Sequence, residues 1–178
     1  AAGHETIVTA LLECRASAAK QDNTGSSALH QACRQGHAGC VQQLLQYSAP
    51  AELCDSQMST PLHQAVHSGN ATVVALLLEH QAAVDPADHK GYTPLHHAAL
   101  AGEIEMCRLL LQREASCCAV NERLQTPLHC AAHCGSASVA SLILNHVDGP
   151  SALCVLDNAG TTPLELARER GEVELVEL

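Results

Sequence analysis

Apolar residues return along the chain in short clusters, and within each cluster they fall on one side of a helix. Ile7-Val8 with Leu11-Leu12, Cys40-Val41 with Leu44-Leu45, Val73-Val74 with Leu77-Leu78, Met106-Cys107 with Leu110-Leu111, and Val139-Ala140 with Ile143-Leu144 repeat one spacing of i+3 and i+4. Each cluster predicts an amphipathic helix with one buried stripe. Burying one Leu contributes only ~1.5–3 kcal/mol, and an isolated helix of this length is marginal in water. The stripes therefore predict helices that stack on one another. Before each long helix a shorter one is signalled by a phrase centred on Thr93-Pro94-Leu95-His96-His97-Ala98-Ala99. Thr can cap the orphan backbone N–H groups of a helix start, and Pro at the first helical position gives up a donor the helix does not need.

The phrase recurs at 33-residue intervals at Thr60, Thr93 and Thr126, with a weaker copy from Ser27 that lacks the Pro and a last copy from Thr162 in which Glu165 replaces the His. Self-similarity at this period points to a stacked repeat architecture, whose core is a ribbon and whose units contact their neighbours. A Gly follows each short helix, at Gly36, Gly69, Gly102, Gly135 and Gly171, where a left-handed C-terminal residue is expected. Ahead of each phrase stands Asp22, Asp55, Asp88, Asn121 or Asp157, side chains that bond their own backbone and start turns. Gly25, Gly91 and Gly160 complete three of these turns, while Met58 and Leu124 occupy the same place in the other two.

In its period, its Thr-Pro-Leu-His-x-Ala-Ala phrase, its Gly36-His37 pair, its Val-x-x-Leu-Leu helices and its Asp-x-x-Gly turns, the chain resembles the ankyrin repeat family. The resemblance covers essentially the whole chain. It implies an all-α repeat solenoid of stacked helix-loop-helix units with projecting β-hairpin fingers, gently curved and L-shaped in section. The expected organisation is a single array over 1–178: a partial unit 1–21, full units 22–54, 55–87, 88–120 and 121–156, and an incomplete unit 157–178. The opening Ala1-Ala2-Gly3-His4 aligns with Arg34-Gln35-Gly36-His37, and Leu175 and Val176 begin a helix with no room for a Leu-Leu pair. Neither end reads as a polar cap, so the array is expected to be part of a longer one. A three-residue insertion precedes Asp157, and Asp148-Gly149-Pro150 place it in the connection to the last finger, where added length is tolerated.

Composition narrows the function. Tyr47 and Tyr92 are the only aromatics, so the core is built from small and aliphatic side chains, and the net charge is −10. That balance, with no basic run, excludes a phosphate-binding face and hence nucleic acid as partner. The glutamates from Glu165 to Glu177 read as a solvated helix face. No apolar run is long enough to span a bilayer. The ten cysteines read as scattered through helical positions, with Cys40 and Cys107 serving as small buried hydrophobes where sister units carry Val. With no secretory leader in view, this predicts a reducing compartment, cytoplasmic or nuclear.

Candidate chemistry is sparse. His129 with His133 and Cys130 with Cys134 form two i, i+4 pairs able in principle to hold zinc, but they point about 100° apart around a helix, and His129 is the motif histidine. Cys117-Cys118 is a vicinal pair whose bland reading is two small side chains. No nucleophile elbow or phosphate loop is present. No catalytic residue, metal or cofactor is expected, and no small-molecule substrate. The reading is a non-catalytic module that binds a partner protein or peptide. The alternatives are the targeting arm of a larger enzyme or channel, and a metal-binding or thiol-reactive domain. In the family it resembles, partners are gripped by finger tips and the outward side of the short helix along the concave face. Carried onto this chain, the partner-binding candidates are Arg34, Gln57, His67, His89, Lys90, Tyr92, Leu100, Arg123, Gln125 and His133. Tyr92, Arg123, Lys90 and Leu100 are the expected anchors, because aromatic and Arg residues concentrate binding energy; Met58 and Leu124 add exposed apolar atoms.

Overall fold

A computed structural model describes residues 5–172. The expectations for Ala1 to His4 and for the helix containing Leu175 and Val176 lie outside the described residues. The chain is an all-α repeat solenoid that divides into two compact units, residues 1–83 and 84–178.

In the first unit, long helices α1 (Glu5–Glu13), α3 (Ala38–Gln46) and α5 (Ala71–Glu79) form one layer and short helices α2 (Ala28–Arg34) and α4 (Pro61–His67) the other. Leu29, Val41, Leu62, Val73 and Leu77 are fully enclosed between the layers. In the second unit, the short helices are α6 (Pro94–Leu100), α8 (Pro127–Cys134) and α10 (Pro163–Arg170), and the long ones α7 (Ile104–Leu111) and α9 (Ala137–Leu144). Here Leu95, Met106, Leu110, Leu128 and Ile143 fill the core. The insertion folds as a 3-10 helix, Gly149–Cys154, packed on α9 and α10.

The short helices start as their sequence predicts, with an added device. In the backbone of Thr93 the N–H donates to Nδ1 of His96 at 3.1 Å, and the same contact recurs from Ser27 to His30, Thr60 to His63 and Thr126 to His129. An N–H can only donate, so Nδ1 is bare and Nε2 carries the proton. That second nitrogen donates to the finger of the following repeat: His30 to the Ser59 carbonyl at 3.0 Å, His96 to Gln125 at 2.9 Å and His129 to Thr161 at 3.1 Å. In the last copy Glu165 keeps the cap, accepting from the Thr162 N–H at 2.9 Å.

Three expectations change. First, no strand forms among the described residues. The fingers are tight turns, with one isolated bridge between Gln21 and Ser27. Adjacent fingers still join, through the Ser56 N–H to the Thr24 carbonyl in the first unit and the Glu122 N–H to the Lys90 carbonyl in the second. Second, the stripe of α1 is only partly buried. Its neighbour α3 covers Leu12, whereas Ile7 and Leu11 are more than half exposed, because packing against one long helix shields one side of the stripe. Third, the ten free thiols are not confined to helices. Cys33, Cys40, Cys107, Cys130 and Cys134 are helical, but Cys14, Cys117 and Cys118 lie in turns, Cys54 in irregular chain and Cys154 in the 3-10 helix. Cys40 and Cys107 are buried as expected, and burial pushes the Cys107 thiol up to about 12.

Truncating Leu77, which is fully buried, to Ala should cost about 2–5 kcal/mol in a urea or guanidinium melt; an unchanged midpoint would contradict the ribbon core. His96 and His129 predict a pH dependence as well. Burial lowers His96 to about 4, and His129 is also lowered by burial, whereas an unfolded His protonates near pH 6.5. Between these values the unfolded chain binds more protons, so acidification removes stability. For His96 the loss is up to about 1.4 kcal/mol per pH unit as pH falls from 6.5 towards 4, and His129 adds to it in the same direction. Denaturant melts at pH 8 and pH 5 measure it, and equal midpoints would contradict a neutral buried ladder.

Candidate functional site

The fingers are built by one side chain each. Oδ1 of Asp88 accepts from the N–H groups of Lys90 and Tyr92 at 2.8 and 3.0 Å, and Asp22, Asp55, Asn121 and Asp157 make the equivalent pair of bonds. The chain then reverses through a left-handed residue. At Gly91 this is needed twice over, since φ is +76° and an added Cβ would meet the Asn121 backbone at 3.0 Å. Met58 and Leu124 hold the same conformation at φ +55° and +56° and project as exposed apolar side chains.

Five of the ten sequence candidates meet in the second unit. His89, Lys90, Tyr92, Leu100 and Arg123 line one surface cleft of about 540 Å³, together with Asp88, His97 and Glu122. Its floor is Tyr92, half-buried, with its ring 5.4 Å from that of His97 and edge-on to His96 at 5.7 Å. Burial pushes the phenol of Tyr92 up. Leu100 supplies the apolar wall at 41% exposed. Behind the ring, Nε2 of His97 lies 2.9 Å from Oδ2 of Asp88. Burial alone would raise the Asp88 carboxyl, but donation from His97 and from the Lys90 and Tyr92 N–H groups outweighs it and holds the group below its ordinary value. Asp88 is thus an ionised, fully engaged carboxylate, and Lys90, Arg123 and Glu122 are the charges turned to solvent.

The remaining candidates are not brought there. Arg34, Gln57 and His67 are exposed in the first unit, where the Arg34 guanidinium donates to the Gln31 side chain and the Gln57 N–H donates to Asp55. Gln125 is half-buried and turned to structural use: its carbonyl receives His96 and its amide reaches Asp157 at 3.5 Å. His133 is exposed at the end of α8, where its carbonyl accepts from Arg170. Of the possible zinc pairs, His129 has both ring nitrogens engaged, by Thr126 and by Thr161. Sequence reasoning missed Asp88 and His97 as parts of the cleft. The signal in the sequence is the recurrence of a side chain with an N–H donor nine residues after the turn acid, at Gln31, Gln64 and His97, and in the structure Gln64 reaches Asp55 at 3.4 Å.

A family model described as ankyrin repeats in three copies matches residues 1–86 and 48–121, and one described as a single ankyrin repeat matches residues 123–158. The chain belongs to the ankyrin-repeat family. Ankyrin repeats are in general protein-interaction modules and typically non-catalytic. No curated protein matches the chain. Among the described residues no helix of this ankyrin-repeat chain is long and apolar enough to cross a membrane.

Holding a branched side chain in the left-handed region costs about 1–2 kcal/mol, partly offset by the entropy that Gly loses on folding. Leu124→Gly should therefore leave stability unchanged or raise it by up to about 1 kcal/mol in a denaturant melt. A loss of more than 1 kcal/mol would show that the Leu124 side chain contributes packing to the fold.

Proposed function

We propose that this chain is a non-catalytic binding module that docks a partner protein or peptide on its finger and short-helix surface, with the cleft around Tyr92 as the main anchor. The observation that carries the reading is the convergence of an aromatic ring, an exposed Leu and two cations, with Glu122 beside them, on one concave surface. Tyr92 is braced by two imidazoles and its turn by Asp88, so little ordering is lost on docking, which favours affinity. An extended segment with an apolar side chain against Tyr92 and Leu100, next to an acidic group facing Lys90 and Arg123, fits this surface. Arg34, Gln57, His67 and His133 extend the same kind of surface on their own repeats, and the unbroken period from Thr60 to Thr93 supports one continuous array. The reduced thiols fit a cytoplasmic or nuclear setting.

Affinity capture with the full chain, followed by mass spectrometry, identifies the partner. Against that partner, Tyr92→Ala combined with Arg123→Ala should weaken binding by about 2 kcal/mol or more, at least 30-fold. Thermal melting should move by no more than a few degrees. Equal loss of folding, or undiminished binding, would reject the cleft as the anchor.

A further inference from the structure

The repeat explains most side chains of this protein, but it leaves one polar cluster unexplained. Cys117, His146 and Asp148 come together where the turn after α7 meets the inserted connection, with one ligand-type atom from each lying within 4.8 Å of the others. Sγ of Cys117 is 3.8 Å from Nδ1 of His146, and the same nitrogen is 2.7 Å from Oδ1 of Asp148. The second oxygen of Asp148 accepts the Cys117 N–H at 3.0 Å, which fixes the carboxylate.

A hydrogen-bonded nucleophile relay would need thiol and carboxylate on opposite ring nitrogens of the histidine. Here both face Nδ1, so the three groups point at a common centre. The scaffold does not ask for them. One period apart from Asp148 stand Ala115, Ala82 and Ala49, all buried, and one period from Cys117 stand Val84 and Ala51. Cys117 and Asp148 thus stand where sister repeats carry apolar side chains, beside His146, whose sister positions Arg113 and His80 are already polar, at the one connection that carries an insertion. Cys117 is enclosed, while the side chains of His146 and Asp148 are 24% and 39% exposed, leaving a way in from solvent.

We infer that Cys117, His146 and Asp148 form a three-ligand site for a divalent cation of the zinc class, with a fourth position for water or another ligand. A mixed sulfur, nitrogen and oxygen set suits a borderline-soft ion that accepts tetrahedral geometry. With Zn–ligand bonds of about 2.0–2.3 Å, tetrahedral donors stand roughly 3.3–3.6 Å apart. The sulfur–nitrogen spacing is already close to this, and the nitrogen–oxygen pair opens by less than 1 Å once no proton is shared between them. Binding releases the thiol proton as the Zn–S bond forms, and the neutral imidazole carries its proton on Nε2 so that Nδ1 can ligate.

The test is titration of the reduced, metal-stripped full chain with Co²⁺, read by its thiolate charge-transfer absorption, and then with Zn²⁺ by competition against a chromophoric chelator. One equivalent should bind. Cys117→Ser should abolish the charge-transfer band, and Asp148→Asn and His146→Gln should weaken binding at least tenfold, while Cys118→Ser and Cys134→Ser leave it within a few-fold. A readout that needs no variant is thiol alkylation mapped by mass spectrometry under partial denaturation. Zn²⁺ should protect Cys117 until chelator is added and leave Cys54 unaffected. Absence of saturable binding, a band that survives Cys117→Ser in a folded variant, or equal alkylation of Cys117 with and without Zn²⁺ would each overturn the site.

Discussion

The stack depends on a buried motif imidazole held, at His30, His96 and His129, between two backbone groups. Its bare nitrogen receives the N–H at the start of a short helix, and its protonated nitrogen binds the carbonyl of the next finger, 29 residues on from His30 and His96 and 32 on from His129. One side chain thus satisfies an orphan helix-start donor and ties successive repeats. Burial enforces this role, since a buried group must keep its hydrogen bonds and a charged imidazole would be costly. The turn carboxylates then close each finger, and the outward residues are presented at fixed positions.

This division of labour separates residues that fold the chain from residues left for a partner. The motif phrase, the turn acids and the glycines after the short helices are consumed by backbone geometry. What remains is a surface that differs from one repeat to the next. On a chain of net charge −10, a cleft that offers Lys90 and Arg123 while its own Asp88 is engaged by His97 and two backbone N–H groups stands out locally. The charged side chains that give it this character, Lys90, Glu122 and Arg123, are ones the fold does not require.

Period and pattern were enough to read the helices, the caps, the turn acids and the family, because each is written in residues close together in sequence. Long-range pairings were less legible. The contact between Asp88 and His97 follows from a helix folding back over its own turn, and both residues already had local explanations. Gln125 lies at a finger position, yet its carbonyl belongs to His96 and its amide reaches Asp157. Ile7 and Leu11 fit the apolar stripe, but how far they are covered depends on what packs beside α1. The Cys117 cluster escaped for a related reason: His146 and Asp148 reach it only because an insertion redirects the chain, and a period-based reading treats an insertion as slack.

Hydrogen exchange on a His96→Leu variant isolates the part played by the imidazole, since this change keeps side-chain volume and removes both of its bonds. The finger amides from Glu122 to Gln125 and the start of α6 should lose protection by at least tenfold, while the core amides of α3 and α5 in the first unit are little changed. Finger protection equal to that of the unaltered protein would contradict that role.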